Sequence, residues 1–184
     1  MLWLIRHGET EWSLSGAHTG RTDLPLTAEG EKKAAGIRAK LEGRSFALVL
    51  TSPLQRARRT CEIAGYGDVA QIEPNLLEWN YGSYEGKTRD EIRRERPGWS
   101  LFRDGVPEGE SIGQVADRAR AVIGKALGAG GDVALFAHGH ILRILAACWM
   151  GLPPEDAALF ALSTASVSTL GYEHETRVIN RWNI

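Results

Sequence analysis

The sequence predicts an α/β fold: a three-layer α/β/α sandwich around a mostly parallel sheet with an antiparallel edge strand. Three observations carry this reading. Short apolar runs at residues 2–6, 46–50 and 133–137 alternate with longer stretches of helical period. Polar and small residues follow the end of each run. The last segments, 166–172 and 177–182, read as a β-hairpin. The 184 residues are long enough for one large core, and no linker, repeat or low-complexity tract divides them, so one domain over 1–184 is expected.

The first run, Leu2 to Arg6, is a buried strand opening into a loop, and from Gly8 to Leu26 no clean period is visible. Thr27 caps a helix running to about Leu41, with Glu29 and Glu31 in its first turn favouring the helix dipole. Phe46 to Leu50 is a second strand. Ser52-Pro53 then starts a helix through Ala64, with proline at its first position. Val69 to Ile72 is a third strand. The aromatic, charged stretch from Pro74 to Gly109 holds one helix, near Thr88 to Glu95. Ser111 caps an amphipathic helix to about Leu127, and the strand Val133 to Ala137 leads through His138-Gly139-His140 into a helix ending at Met150.

Composition narrows the function classes. Lys and Arg total 22 against 23 Asp and Glu, a net charge of -1, so no global field draws the chain to nucleic acid or to a membrane. The apolar run at the amino terminus is too short for a signal peptide and no stretch is long enough to span a bilayer, so the cytoplasm is the expected compartment. Cys61 and Cys148 lie in separate helical segments without CxxC spacing and are expected to be reduced thiols. Oligomeric state is left open.

The chemistry concentrates where open α/β sheets place ligands, just beyond the carboxyl ends of strands. Arg6-His7-Gly8-Glu9-Thr10 follows the first strand, the run from Thr51 to Thr60 the second, and Ala137-His138-Gly139-His140 the later one. Two histidines and at least two arginines are thus delivered toward one crevice. This set suits a phosphoryl group: guanidinium gives bidentate contacts, and imidazole a nucleophile or donor. Arg58 and Arg59 read as a solvated helix face. His138 and His140 lack the carboxylates or thiols that would complete a metal site, so no metal or other cofactor is expected.

These segments resemble the histidine phosphatase superfamily, which includes cofactor-dependent phosphoglycerate mutase. The resemblance begins at Leu4-Ile5-Arg6-His7-Gly8-Glu9-Thr10 and continues through residues 19–27, Ser52-Pro53-Leu54-Gln55-Arg56-Ala57, Leu77-Glu78 with Gly82 and Glu85-Gly86, Gly109-Glu110-Ser111 and Ala137-His138-Gly139. It implies that His7 attacks phosphorus to form phosphohistidine and that Arg6, Arg56 and His138 surround the equatorial oxygens. Glu78 would protonate the leaving oxygen and later take a proton from water. Bound phosphate would favour a protonated His138.

Ser13, Thr19, Gly20, Trp79, Tyr81 and Gly139 fall where the family binds substrate, although Trp79 equally suits core packing. Ser13 stands where many members carry Asn, which leaves its contact with phosphate or the catalytic loop open. Glu9 and Arg143 read as structural. His18, Arg21, Lys87, Arg103 and His140 are candidates for a second phosphate or a carboxylate, or plain surface residues. Residues 78–86 and 136–140 look most like the acid-phosphatase and sugar-bisphosphatase subgroups. The mutases carry a longer insertion after the catalytic glutamate and a C-terminal tail. Here the Gly82 to Gly109 stretch is short and the chain stops just after Trp182, so the resemblance implies hydrolysis of a small-molecule phosphomonoester, with mutase activity second and an inactive binding protein third.

Overall fold

The computed structural model describes residues 1–41 and 43–184. Six strands form one sheet: β1 (Leu2–Arg6), β2 (Leu48–Thr51), β3 (Ala70–Ile72), β4 (Val133–Ala137), β5 (Val167–Glu173) and β6 (Thr176–Arg181). Their spatial order is β3-β2-β4-β1-β5-β6. The first four are mutually parallel, whereas β5 runs antiparallel to β1 and to β6. The expected sheet is therefore present.

Among the described residues seven α-helices accompany the sheet: α1 (Glu11–Ser15), α2 (Ala28–Leu41), α3 (Gln55–Ile63), α4 (Arg89–Glu95), α5 (Leu101–Asp104), α6 (Ile112–Leu127) and α7 (Gly139–Trp149). The period-2 alternation of the strands sorts them into layers. Trp3, Ile5, Val49, Ala134, Phe136 and Val167 pack against Ala34, Ile37 and Leu41 of α2 and Cys61 of α3. Leu2, Leu4, Leu50, Val133, Leu135 and Leu170 point the other way, onto Val115, Ala119 and Val122 of α6 and Ile141 and Leu145 of α7. Among the described residues no helix is long and apolar enough to cross a membrane.

The caps read from the sequence are made. Thr27 Oγ1 accepts from Gly30 N–H at 2.9 Å, and Ser111 forms a reciprocal capping box; Thr88, not read as a cap from the sequence, forms another. The second strand ends at Thr51 rather than Leu50, and its helix starts at Gln55 rather than at Ser52-Pro53. The cause is that Ser52 still belongs to the sheet edge, its N–H donating to Phe136 C=O at 2.9 Å. Two short helices, α1 and α5, went unseen because five and four residues carry too little periodicity to show.

One close approach fixes the loop that follows β1. The backbone of Gly30, in the first turn of α2, lies so near Glu9 that a Cβ there would sit 2.2 Å from Glu9 O. A Cβ on Gly8 would meet Gly30 O at 2.5 Å. Glu9 completes the clamp: its carboxylate accepts from Thr27 Oγ1 at 3.0 Å and Lys33 Nζ at 2.8 Å, and its carbonyl from Thr27 N–H at 2.9 Å. Glu9 is thus a structural hydrogen bonder, as read from the sequence.

Two alanine substitutions in α2 should therefore have opposite signs. Gly30→Ala must push backbone apart and should destabilise by about 1–3 kcal/mol despite alanine's better helix propensity. Gly36→Ala, where an added Cβ meets nothing within 4 Å, should stabilise by up to about 1 kcal/mol. Urea unfolding of both variants checks this, and equal effects would refute the close approach as the constraint.

Candidate active site

Register alone brings the central residues together. Arg6 pairs with Ala137 across β1 and β4, and Thr51 with Phe136 across β2 and β4. His7, Ser52 and His138, the next residues of three adjacent strands, therefore emerge side by side. The His7 and His138 rings lie 5.2 Å apart. Glu78 arrives from a loop and docks on the N-terminus of α7. Its carboxylate accepts N–H bonds from Trp79 (3.0 Å), His140 (2.9 Å) and Ile141 (2.9 Å), where the helix leaves donors unpaired and its dipole favours negative charge.

The His7 ring is oriented by one bond. Nδ1 lies 2.6 Å from Gly8 C=O, and a carbonyl only accepts, so Nδ1 carries the proton and Nε2 the lone pair. Burial, then the charges of Arg6 and Arg56, push the His7 pKa well below the ordinary histidine value, so the ring is neutral. The loop is held from below: Gly8 N–H donates to Thr60 Oγ1 at 3.0 Å, and Thr60 Oγ1 to Arg56 C=O at 2.7 Å.

Arg56 has no solvent exposure. It donates to Thr22 C=O (2.9 Å), Thr19 C=O (3.1 Å), Gly20 C=O (3.0 Å) and His138 Nδ1 (3.1 Å). These four bonds leave one of its five N–H groups. Arg6 donates through Nη1 to Leu162 C=O, while its Nε is buried without a partner, the one such side-chain atom among the described residues. Its guanidinium carbon lies 3.3 Å from where a Gly139 Cβ would be, so the glycine admits it.

His138 is fixed in tautomer by its two ring partners. Because Nδ1 accepts from Arg56, Nε2 is the protonated nitrogen and donates to Ser52 Oγ at 2.7 Å. Burial, then Arg56, His7 and Arg6, hold its pKa well below the ordinary value. Without phosphate it is a neutral imidazole, and an Arg56 N–H occupies the position a second proton would need.

A cleft of about 160 Å³ opens above this group, lined among others by Arg6, His7, Ser13, Thr19, Glu78, Tyr81 and Gly139. Arg56 and His138 lie behind His7 rather than on the wall. Two of the expected substrate contacts are not on it either. Trp79 is fully buried, donates Nε1–H to Glu110 C=O at 2.8 Å and packs edge-on against Phe102, so it belongs to the core. Gly20 is tucked under Trp79 and Glu85, where a Cβ would meet each at 2.5 Å, and its N–H donates to Glu85. Ser13 reaches the cleft, but its hydroxyl closes the capping box of α1 with Thr10, so its contact is with the loop after His7.

Of the candidates for a second anionic group, Arg21 pairs with Glu110, Lys87 with Glu95 and Arg103 with Asp104, whereas His18 and His140 do line the cleft. Arg143 lines it too, while holding Ala157 and Ala158 carbonyls. Sequence reasoning missed Trp12 on the cleft wall and the brace behind Glu78. Arg118 chelates the Glu110 carboxylate at 2.8 and 2.9 Å and donates to the Asn75 and Leu77 carbonyls, fixing the loop that carries Glu78. Arg118 sits mid-helix in α6, where a lone arginine gives no sign of its partner.

The model of the histidine phosphatase superfamily (branch 1) matches residues 2–184. An acid phosphatase of Mycobacterium tuberculosis is 40% identical, the match covering 96% of this chain and 88% of that protein. A sedoheptulose 1,7-bisphosphatase of Saccharomyces cerevisiae is 35% identical over 81% of this chain and 67% of its own. A probable phosphoglycerate mutase, GpmB, of Photorhabdus laumondii is 32% identical over 98% and 89%. The solved structure of the open reading frame Rv3214 of Mycobacterium tuberculosis superposes with a TM-score of 0.95 at 38% identity, covering all of this chain and 96% of that one. With the residues gathered at the carboxyl ends of β1, β2 and β4, these likenesses lead to one conclusion: the chain belongs to the histidine phosphatase superfamily.

Proposed function

We propose that the chain is a phosphatase that hydrolyses small-molecule phosphomonoesters through a phosphohistidine at His7. The observation that carries this is the His7 ring: neutral, fixed by Gly8 C=O through Nδ1, with Nε2 free among the described residues and two guanidinium groups beside it. In the proposed reaction Nε2 attacks phosphorus, the ester P–O bond breaks, and Glu78 gives its proton to the leaving oxygen. Water then attacks the phosphoryl group, Glu78 takes its proton, and the P–N bond breaks. Charge on the equatorial oxygens is met by Arg6 on the cleft wall and by the positive field of Arg56 behind it, as transfer through a loose transition state requires. These cations take the part a metal plays elsewhere, which supports metal-independent turnover.

Phosphoglycerate mutase is the second reading, favoured by the GpmB likeness. The two differ in product, inorganic phosphate in one case and an isomerised ester in the other. The acid phosphatase and bisphosphatase likenesses and the short stretch from Gly82 to Gly109 support hydrolysis.

Two tests address the assigned roles. His7→Ala should abolish turnover, while Glu78→Gln should slow an alkyl phosphate by roughly 10²–10⁴-fold and p-nitrophenyl phosphate far less, because that leaving group scarcely needs a proton. Equal losses on both esters would contradict Glu78 as the acid. The second test is pH. His7 attacks only when neutral, and its lowered pKa extends the neutral form to lower pH. The acid limb of kcat/KM, corrected for the ester's own ionisation at about pH 6, should therefore lie well below 6.5. A limb at or above 6.5 would contradict the assignment.

A further inference from the structure

His18 and His140 form a pair that the proposed phosphoryl chemistry does not use. Both line the cleft and both line an adjoining hollow of about 280 Å³ walled by Trp99, Leu101 and Phe102, so they stand where the two lobes meet. Their rings are nearly parallel, 10° apart in plane, with centroids 6.3 Å apart.

The two rings are pinned as opposite tautomers. His18 Nδ1 lies 2.7 Å from Lys87 C=O, which only accepts, so Nδ1 is protonated and Nε2 is an acceptor. His140 Nδ1 lies 2.5 Å from Tyr81 Oη. That phenol is fully buried, and among the described residues it has no other partner, so its O–H donates to His140 Nδ1 and the ring carries its proton on Nε2. The Glu78 carboxylate, 3.7 Å from Nδ1, is beyond hydrogen-bond reach. Burial holds both imidazoles below the ordinary pKa and the Tyr81 phenol well above its own, which keeps all three neutral. Neither Nε2 has a partner among the described residues, and neither is sealed from solvent.

The junction of the lobes therefore presents one acceptor, His18 Nε2, and one donor, His140 Nε2–H, on neighbouring rings without formal charge. A hydroxyl answers both from a single atom, since it donates and accepts at once. We infer that this pair is a specificity determinant that selects phosphomonoesters with a hydroxyl on the leaving group, that is, polyol or sugar phosphates. The inference rests on the phosphatase reading above.

The test compares kcat/KM for glycerol 1-phosphate and n-propyl phosphate, which differ in the hydroxyls alone. A ratio of about tenfold or more in favour of glycerol 1-phosphate is expected. His140→Asn keeps an acceptor for Tyr81 and loses the Nε2 donor, and His18→Asn keeps a donor to Lys87 and loses the Nε2 acceptor. In each the ratio should fall toward one, while His140→Gln, which retains a donor at the Nε2 position, should keep most of it. Because the readout is a ratio within each variant, a general loss of activity cancels. A wild-type ratio near one, or a ratio unchanged in both Asn variants, overturns the inference and leaves the phosphatase reading standing. No turnover of either ester would count against that reading first. The tautomers are checked without any variant: ¹⁵N shifts of the wild-type rings should report Nδ1–H for His18 and Nε2–H for His140, and the same tautomer on both would overturn the inference on its own.

Discussion

The site depends on a positive charge buried without a carboxylate to meet it. Arg56 is wholly enclosed, and its hydrogen bonds go to three carbonyls and a histidine. Removing a guanidinium from water costs several kcal/mol, and carbonyl dipoles offset only part of what an anion would. The sheet supplies the remainder of the constraint. Parallel pairing of β1, β4 and β2 sets His7 level with His138 and Ser52 one residue below, and the first turn of α3 brings Arg56 against them. Burial first, and then a field of this sign, lowers the proton affinity of His7 and His138, and the field favours a dianion in the cleft. In the proposed reaction, nucleophile activation and substrate binding would both draw on this buried charge.

The negative side of the site is handled separately. Glu78 is kept apart from the guanidinium groups by docking on the N-terminus of α7, where N–H donors rather than an arginine receive it. Had Glu78 paired with Arg6 or Arg56, the field at His7 would collapse. The arginine that serves Glu78, Arg118, acts through Glu110 and the loop carbonyls and so steadies the backbone without touching the carboxylate.

Much of this was legible in the sequence because it follows from local rules. The strands ending at Arg6 and Ala137 were readable as apolar runs, and Thr27 and Ser111 as caps. Arg6, His7, Arg56, Glu78 and His138 converge as their strand-end positions and the resemblance implied. What stayed hidden is non-local. Trp79 follows Glu78 directly yet turns into the core, because Glu110 from across the fold takes its N–H. Gly20 supplies a carbonyl to Arg56 rather than a surface to substrate. His138 is held neutral by its burial and then by Arg56, 82 residues away, which donates to it. The start of α3 was misplaced since proline at a first helical position is a good rule, but Ser52 was already committed to β4.

The central claim is that His7 Nε2 carries the phosphoryl group during turnover. Rapid quenching into base with a ³²P-labelled phosphomonoester, followed by peptide mapping, tests it most directly. The account predicts an acid-labile, base-stable label on the peptide containing His7, absent from His7→Ala and accumulating in Glu78→Gln with p-nitrophenyl phosphate, where the second step is slowed. Steady turnover with no label on His7, or a label on another residue, would contradict it.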